Sequence, residues 1–320
     1  MKILVIGGAG YIGSHVTYEL CDNGYDVTVL DNLSTGFLEN IDKRANFIKG
    51  SFSKKNILAN ILKDVDAVIH LAALKAAGES MDNPINYSKH NIIDTINLIN
   101  CCLDNNVQNF IFSSSAAVYG IPNYLPVDES HPLNPINYYG FTKLFIEKQL
   151  LWYNQLKGLN IALLRYFNAA GADFKAEVGE DHEPETHLIP NIVNSLIKNK
   201  VLKVYGKNFN TLDGTGVRDY IHVDDLGYAH ILALKKILTT QKSLKLNLGT
   251  GKGYSVKQII TEAEKIFKKK IKIKYMPRRA GDVSKLISSS AKAKKALKWK
   301  ARNSDLKNIL ITAYNWHKKN

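Results

Sequence analysis

A run of apolar, β-branched residues, Met1-Lys-Ile-Leu-Val-Ile6, ends in Gly7-Gly-Ala-Gly-Tyr-Ile-Gly13, and Ser14 to Leu20 continues with helical character. Strand, glycine turn and helix in immediate succession are the context of a dinucleotide-binding βα unit. Gly7 allows the tight turn, Gly10 lets main chain approach a pyrophosphate, and Gly13 permits the helix to pack closely on the strand. Phosphates would sit at the helix N-terminus, where free N–H groups and the dipole favour anions. The spacing is G-x-x-G-x-x-G, a variant of the usual pattern. A glycine turn without a ligand is the alternative.

The following stretches repeat the alternation of strand and helix. Asp26-Val-Thr-Val-Leu30 reads as a second strand ending in Asp31. A carboxylate there can accept the hydroxyls of an adenosine ribose and would repel a 2′-phosphate, which favours NAD over NADP. A helix-capping aspartate is the other reading. Phe47–Gly50 and Asp66–Leu71 read as the third and fourth strands, with a helix from Ser53 to Lys63 between them. A helix from Pro84 to Asp104 precedes the strand Phe110–Phe112. This order predicts an α/β fold with a doubly wound parallel sheet. Ser113-Ser-Ser115 then falls at the carboxyl end of a strand, where open α/β sheets place ligands.

Pro122 to Pro135, with four prolines, forms an irregular loop leading to Asn137-Tyr-Tyr-Gly-Phe-Thr-Lys143. Apolar residues at helical spacing from Leu144 to Leu151 place Tyr139 and Lys143 in the first turns of a helix. Residues four apart share one face, so the phenol and the ammonium would lie together. A tyrosine of pKa about 10 is a poor base near neutrality. A neighbouring cation favours the phenolate, and a positively charged cofactor would favour it further. Such a pair can take a proton from a sugar hydroxyl or return it. Taken alone, the spacing also suits a solvated helix face.

With 45% hydrophobic and 22% charged residues, the 320-residue chain is globular, long enough for one large domain or two smaller ones. No apolar run approaches the roughly 18 residues of a membrane span, and Met1–Ile6 meets glycine too early for a signal peptide. Cys21, Cys101 and Cys102 lack metal spacing and read as thiols of a reducing compartment, with cytoplasm expected. No metal site is expected. Residues 251–320 hold 20 Lys or Arg against four acids, whereas the chain's net charge is +14. A block of this kind can attract nucleic acid, but it also suits a Lys-rich solvated surface. No nucleic-acid or membrane partner is expected.

Several long motifs, in order, resemble the extended short-chain dehydrogenase/reductase superfamily and, within it, the UDP-glucose (UDP-galactose) 4-epimerases. They are Gly7–Gly13, Leu71-Ala-Ala-Leu-Lys-Ala-Ala-Gly-Glu-Ser80, Phe112-Ser-Ser-Ser-Ala-Ala-Val-Tyr-Gly120 and Asn137–Lys143. They continue in Leu164-Arg-Tyr-Phe-Asn-Ala-Ala-Gly-Ala172, Gly214-Thr-Gly-Val-Arg-Asp-Tyr-Ile-His-Val223 and Pro277-Arg-Arg-Ala-Gly-Asp282. Related 4,6-dehydratases carry an acidic pair directly after the residue matching Ser115, and related decarboxylases a Glu at the second of those places. Ala116 and Ala117 stand here. Alanine supplies neither acid nor base, so the resemblance favours plain 4-epimerisation.

The resemblance implies a Rossmann-type NAD domain over residues 1–165, re-entered near 213–237, and a smaller α/β UDP-sugar domain mainly from 166–320. It implies NAD as cofactor, a homodimer built on the helices of Tyr139 and of Pro84–Asp104, and Tyr139, Ser115 and Lys143 as catalytic residues. Cofactor contacts carry over to Gly7, Gly10, Tyr11, Ile12, Gly13, Asp31, Asn32, Ser51, Phe52, Leu71, Ala72, Ala73, Lys75, Asn91, Ser113, Tyr139, Lys143 and Tyr166. Substrate contacts carry over to Lys75, Ser115, Tyr139, Asn168, His187, Leu188, Arg218, Arg279, Asp282 and Leu286. The guanidinium forks of Arg218 and Arg279 suit a diphosphate. Two positions depart from the pattern: Ser51 replaces an Asp near adenine, and His90 replaces the Asn before Asn91. Leu286 matches a pocket position near the sugar C2, where a tyrosine tends to exclude an N-acetyl group. A smaller residue there admits an N-acetyl group, so UDP-glucose/UDP-galactose and the UDP-GlcNAc/UDP-GalNAc pair are expected substrates. A UDP-pentose epimerase is the alternative, and a non-catalytic NAD- or RNA-binding relative has only the basic block in its favour. His222 reads as a packed or capping residue.

Overall fold

The structure, a computed structural model, describes residues 1–182, 184–279 and 281–320. The chain runs β1 (Lys2–Ile6), α1 (Tyr11–Asp22), β2 (Asp26–Asp31), β3 (Asn46–Lys49), α2 (Lys55–Ile61), β4 (Ala67–His70), α3 (Ala77–Asp82) and α4 (Pro84–Tyr87). Next come α5 (Asp94–Asp104), β5 (Asn109–Ser115), α6 (Tyr138–Lys157), β6 (Asn160–Tyr166), β7 (Asn168–Ala170), α7 (Leu188–Lys198), β8 (Leu202–Tyr205), β9 (Val217–His222) and α8 (Val223–Thr240). The remainder is β10 (Leu244–Leu248), β11 (Gly253–Ser255), α9 (Val256–Phe267), β12 (Ile273–Met276), β13 (Lys285–Leu286), α10 (Ala291–Leu297) and α11 (Leu306–Lys319).

Seven parallel strands form one sheet in the order β10-β6-β5-β4-β1-β2-β3. Because side chains alternate across a strand, neighbouring residues feed opposite cores. Ile3, Val5, Val29, Ile69 and Leu164 meet α1 and α8 on one face. Leu4, Ile6, Leu30, Val68 and Leu163 meet α2, α5 and α6 on the other. The order reverses between β1 and β4, so the crevice for a ligand lies past their carboxyl ends.

A smaller layer is built around β9, which pairs with β11 on an antiparallel ladder and with β7 and β13 in parallel. Helices α7, α9 and α11 bury its apolar side with β8. The return to the large sheet reaches further than 213–237: β9 belongs to the small layer, α8 packs on the large sheet, and β10 is hydrogen-bonded to β6. Even Trp299, past α10, fills the large sheet's core. No helix of the described residues is long and apolar enough to cross a membrane.

The expected helix from Pro84 to Asp104 is interrupted. Ser88–Ile93 widens into π turns between α4 and α5, and the buried Asn91 sits in that segment. Such bulges collect at functional sites.

Candidate active site

The glycine turn explains itself sterically. Gly7 has φ +86°, and a Cβ there would come within 2.7 Å of the Ala72 nitrogen. At Gly13 a Cβ would lie 2.0 Å from the Gly7 carbonyl oxygen. Gly10 is different: a Cβ would meet nothing nearer than 3.5 Å, so glycine there leaves room for a ligand rather than for protein packing. Helix α1 starts at Gly10 with no side-chain cap and no acid in its first turn. Its first N–H groups, from Tyr11, Ile12 and Gly13, therefore suit a phosphate. Tyr11 turns its hydroxyl to the Gly171 carbonyl at 2.7 Å, tying the turn to the loop after β7.

The ends of the adjacent strands wall the crevice. Asp31 accepts the Ala9 N–H at 3.0 Å and the Leu33 N–H at 2.8 Å, which fixes its carboxylate beside the glycine turn. Asn32 closes a local turn on Ser34. Ser51 does the same with Ser53, and Phe52 packs edge-on against His70. Leu71 and Ala72 donate to the Ile6 carbonyl, which holds the Leu71–Ala73 main chain against β1. Asn91 accepts the Leu74 N–H and donates to the Leu74 carbonyl and the Thr142 hydroxyl. Both its amide hydrogens are spent inside the protein. Asn91 thereby braces the loop holding Lys75.

The helix α6 positions the reacting groups. Asn137 caps it by accepting the Gly140 N–H at 2.8 Å, and Gly158 ends it in the left-handed conformation. Tyr139 therefore lies in the first turn, where its N–H reaches the Ser80 hydroxyl at 3.0 Å. Its buried phenol lies beside the Ser115 side chain at the end of β5. Burial raises the phenol above its ordinary pKa, and the neighbouring Ser115 hydroxyl works against that rise. One turn on, the buried Lys143 ammonium donates to the Ser113 carbonyl at 2.7 Å and lies 5.9 Å from the centre of the Tyr139 ring. Burial lowers Lys143 to about 7, opposed by the Glu147 carboxylate. Tyr166, paired with Ser115 across β6 and β5, is hydrogen-bonded to His230 of α8 at 2.5 Å.

Glu147, a further turn along α6, is gripped by Arg165 at 2.8 and 2.5 Å. Arg165 also donates to Tyr119 at 2.9 Å, whose hydroxyl reaches Asn247 at 2.6 Å. This buried network joins the helix of Tyr139 to β6 and β10, and the resemblance assigned it no part.

The small layer supplies the opposite wall. Asn168 starts β7 and pairs with Tyr220 of β9. Arg218 and Leu286 are partners across β9 and β13. The Arg218 guanidinium lies 3.7 Å from Asp282, and Arg279, in the same turn, stacks 3.9 Å over the Tyr205 ring. Leu286 packs among Ala116, Val118 and Phe167, which brings it beside the end of β5. His187 caps the entry to α7 before Leu188, and Glu180 is its partner. His187 is raised despite a burial that favours its neutral form, because the Glu180 carboxylate faces it. His222 is buried as the cap of α8, as read from the sequence.

A family model described as the NAD dependent epimerase/dehydratase family matches residues 3–249. The chain belongs to this family. NAD is the epimerase/dehydratase cofactor, and the open room at Gly10 and uncapped start of α1 fit it. Over 99% of this chain and 97% of the relative, the sequence is 46% identical to a UDP-glucose 4-epimerase of Lactobacillus helveticus. Its fold matches that of a Bifidobacterium longum UDP-glucose 4-epimerase crystallised with NAD+ and UDP, with a TM-score of 0.95 and 37% identity. That match covers 100% of this chain and 99% of the other. A UDP-Glc/GlcNAc 4-epimerase from Campylobacter jejuni is similar at a TM-score of 0.85 and 37% identity, covering 100% and 99% of the two chains.

Among the epimerase/dehydratase side chains described, one grouping was passed over in the sequence. Glu180, His182, Glu185 and His187 bring ligand atoms within 4.8 Å of one another, although no metal site was expected. Lys75 adjoins them, 2.7 Å from the outer nitrogen of His182.

Proposed function

We propose that this chain interconverts UDP-glucose and UDP-galactose by NAD-dependent 4-epimerisation, and accepts the UDP-GlcNAc/UDP-GalNAc pair as well. The observation that carries this reading is the joined set Tyr139, Ser115 and Lys143, followed by Ala116 and Ala117 where elimination chemistry needs further acid–base groups. Tyr139 removes the proton from the sugar O4, and Ser115 holds that hydroxyl and relays the proton. NAD, when bound, supplies the acceptor that takes the C4 hydride and gives it back, so no net oxidant is consumed. Lys143 holds the nicotinamide ribose, and its charge lowers the phenol's pKa.

In the chain by itself, burial holds the Tyr139 phenol in its protonated form and pulls Lys143 down to about 7. The cofactor's positive charge is therefore part of what activates the phenol, a coupling that ties proton removal to a loaded site. The N–H groups of the glycine turn hold the pyrophosphate, Asp31 the adenosine ribose, and Asn32, Ser51 and Phe52 surround the adenine. Arg218 and Arg279 anchor the UDP diphosphate and Asp282 the uridine ribose. Asn168, Lys75, His187 and Leu188 complete the wall. A firm hold on the nucleotide lets the sugar turn over between the two hydride transfers. The seven-stranded sheet with α8 and β10 forms the NAD part, and the β9 layer the UDP-sugar part.

Leu286 decides the breadth of the substrate range. Being smaller than tyrosine, it leaves space near C2, and the similarity to an enzyme named for UDP-Glc/GlcNAc supports this. Leu286→Tyr is expected to cut kcat/KM for UDP-GalNAc by about 10–200-fold relative to UDP-galactose. A ratio unchanged by the substitution would remove the pocket argument.

The chain acts as a homodimer in this reading. Phe141, Phe145, Trp152 and Leu156 form one stripe along α6, and Trp152 and Leu156 are 58% and 65% exposed. Ile85 of α4 and Ile93, at the end of the π segment, are exposed as well. An apolar face of that extent on a soluble chain marks an interface. Trp152→Glu is expected to convert a dimer to a monomer in sedimentation velocity; a native chain that is already monomeric would contradict this. Cys21, Cys101 and Cys102 are free thiols, which supports a cytoplasmic place.

A further inference from the structure

We infer that Glu180, His182, Glu185 and His187 form a binding site for one divalent transition-metal ion of the zinc class at the rim of the substrate cleft. The four residues follow one another in the short segment between the bridge of Ala172 with Gly179 and the start of α7. Each turns one ligand atom inward, and these atoms lie within 4.8 Å of one another. The His182 Nδ1 is 3.5 Å from Glu180 Oε1 and 3.4 Å from Glu185 Oε2, and the His187 Nδ1 faces the same Glu180 oxygen. Zinc bonds of about 2.0–2.2 Å set tetrahedral ligand atoms about 3.4 Å apart, so only small movements are needed.

The ligands are held in advance. Glu180 is 3% exposed, and its carbonyl accepts the Trp316 indole N–H at 3.2 Å. Glu185 spends Oε1 on the N–H groups of Thr186 and His187, both at 2.6 Å. Among the described residues its buried Oε2 has no hydrogen-bond partner, a costly state for a carboxylate oxygen that an ion would relieve. Lys75 occupies the Nε2 side of His182, so only Nδ1 is turned to the centre. Two imidazoles and two carboxylates suit zinc or cobalt, whereas magnesium demands an octahedral, oxygen-rich shell. The two carboxylates also balance the charge of one divalent cation. As a corollary, which rests on the epimerase reading, an ion here ties up His187 and competes with substrate.

The test uses the full chain, freed of metal with a chelator and titrated with Co2+ in the absence of substrate. The expected result is uptake of one cobalt per chain with the intense visible absorption of tetrahedral cobalt, displaced by Zn2+ and not by Mg2+. His182→Ala and the isosteric Glu185→Gln should each weaken binding by at least about tenfold. No uptake by the wild type, or equal uptake by the wild type and both variants, would overturn the site. Zn2+ should raise KM for UDP-galactose in the wild type and not in His182→Ala. Cobalt uptake with KM unmoved by Zn2+ would uphold the site and overturn the corollary.

Discussion

Tyr139→Phe is expected to lower kcat for UDP-galactose by about 10²–10⁴-fold while bound NAD and UDP affinity stay near wild type. The substitution removes one oxygen from a buried ring and leaves the helix cap at Asn137 and the Tyr139 N–H contact with Ser80 in place. Without that oxygen the O4 proton loses its base: Ser115 is an alcohol, Ala116 and Ala117 carry no titratable group, and Lys143 is engaged with the Ser113 carbonyl. Lys143→Ala acts through the same oxygen. Removing a cation beside the phenol raises the phenol's pKa, so the acid limb of the kcat/KM profile should move to higher pH. A Tyr139→Phe enzyme with turnover within a few-fold of wild type would show that the proton leaves by another route.

The second large effect is on stability. Arg165→Met should destabilise the fold by about 3–5 kcal/mol, because it strands the Glu147 carboxylate in the core. Both side chains are at most 1% exposed, and the pair is bidentate at 2.8 and 2.5 Å. Arg165 also lends a donor to Tyr119, so its loss loosens the link between β6 and β10 through Asn247. Removing both charges, with Arg165→Met and Glu147→Leu together, should recover most of the loss, since an apolar pair of similar volume packs without stranding a charge. Urea unfolding of the wild type, each single variant and the double variant gives the comparison. A double variant no more stable than Arg165→Met would mean that the remaining Tyr119–Asn247 contacts, and not the stranded charge, set the cost.

Much of this was legible from local chemistry. Gly7 and Gly13 announce a turn in which Cβ atoms would strike Ala72 and the Gly7 carbonyl. The alternation of strand and helix announced a parallel sheet, and its central strands β1 and β4 are buried on both faces. The placing of Tyr139 and Lys143 in the first turns of one helix was readable from helical spacing, and that of Ser115 at a strand end from the serine run after Phe112. What escaped depends on contacts between distant segments. The π widening at Asn91 follows from bracing Leu74 across a gap of 17 residues, which no helical period encodes. The seating of β10 beside β6 joins residues 244 and 162, so a domain boundary drawn along the chain could not follow it. Arg165 reads as one charge inside an apolar strand, and only the fold brings Glu147 to it. The Glu180-x-His182-x-x-Glu185-x-His187 spacing has no helical or strand period, and only the folded loop brings its four ligand atoms together.

The central claim is tested most directly by incubating the purified chain with UDP-galactose, without added cofactor or reductant, and resolving the products by NMR. UDP-glucose is expected to accumulate to equilibrium with no net change in nicotinamide absorbance, because the hydride that leaves C4 returns to it. Unchanged UDP-galactose in the presence of bound NAD, or its conversion to a stable oxidised or dehydrated sugar nucleotide, would contradict it.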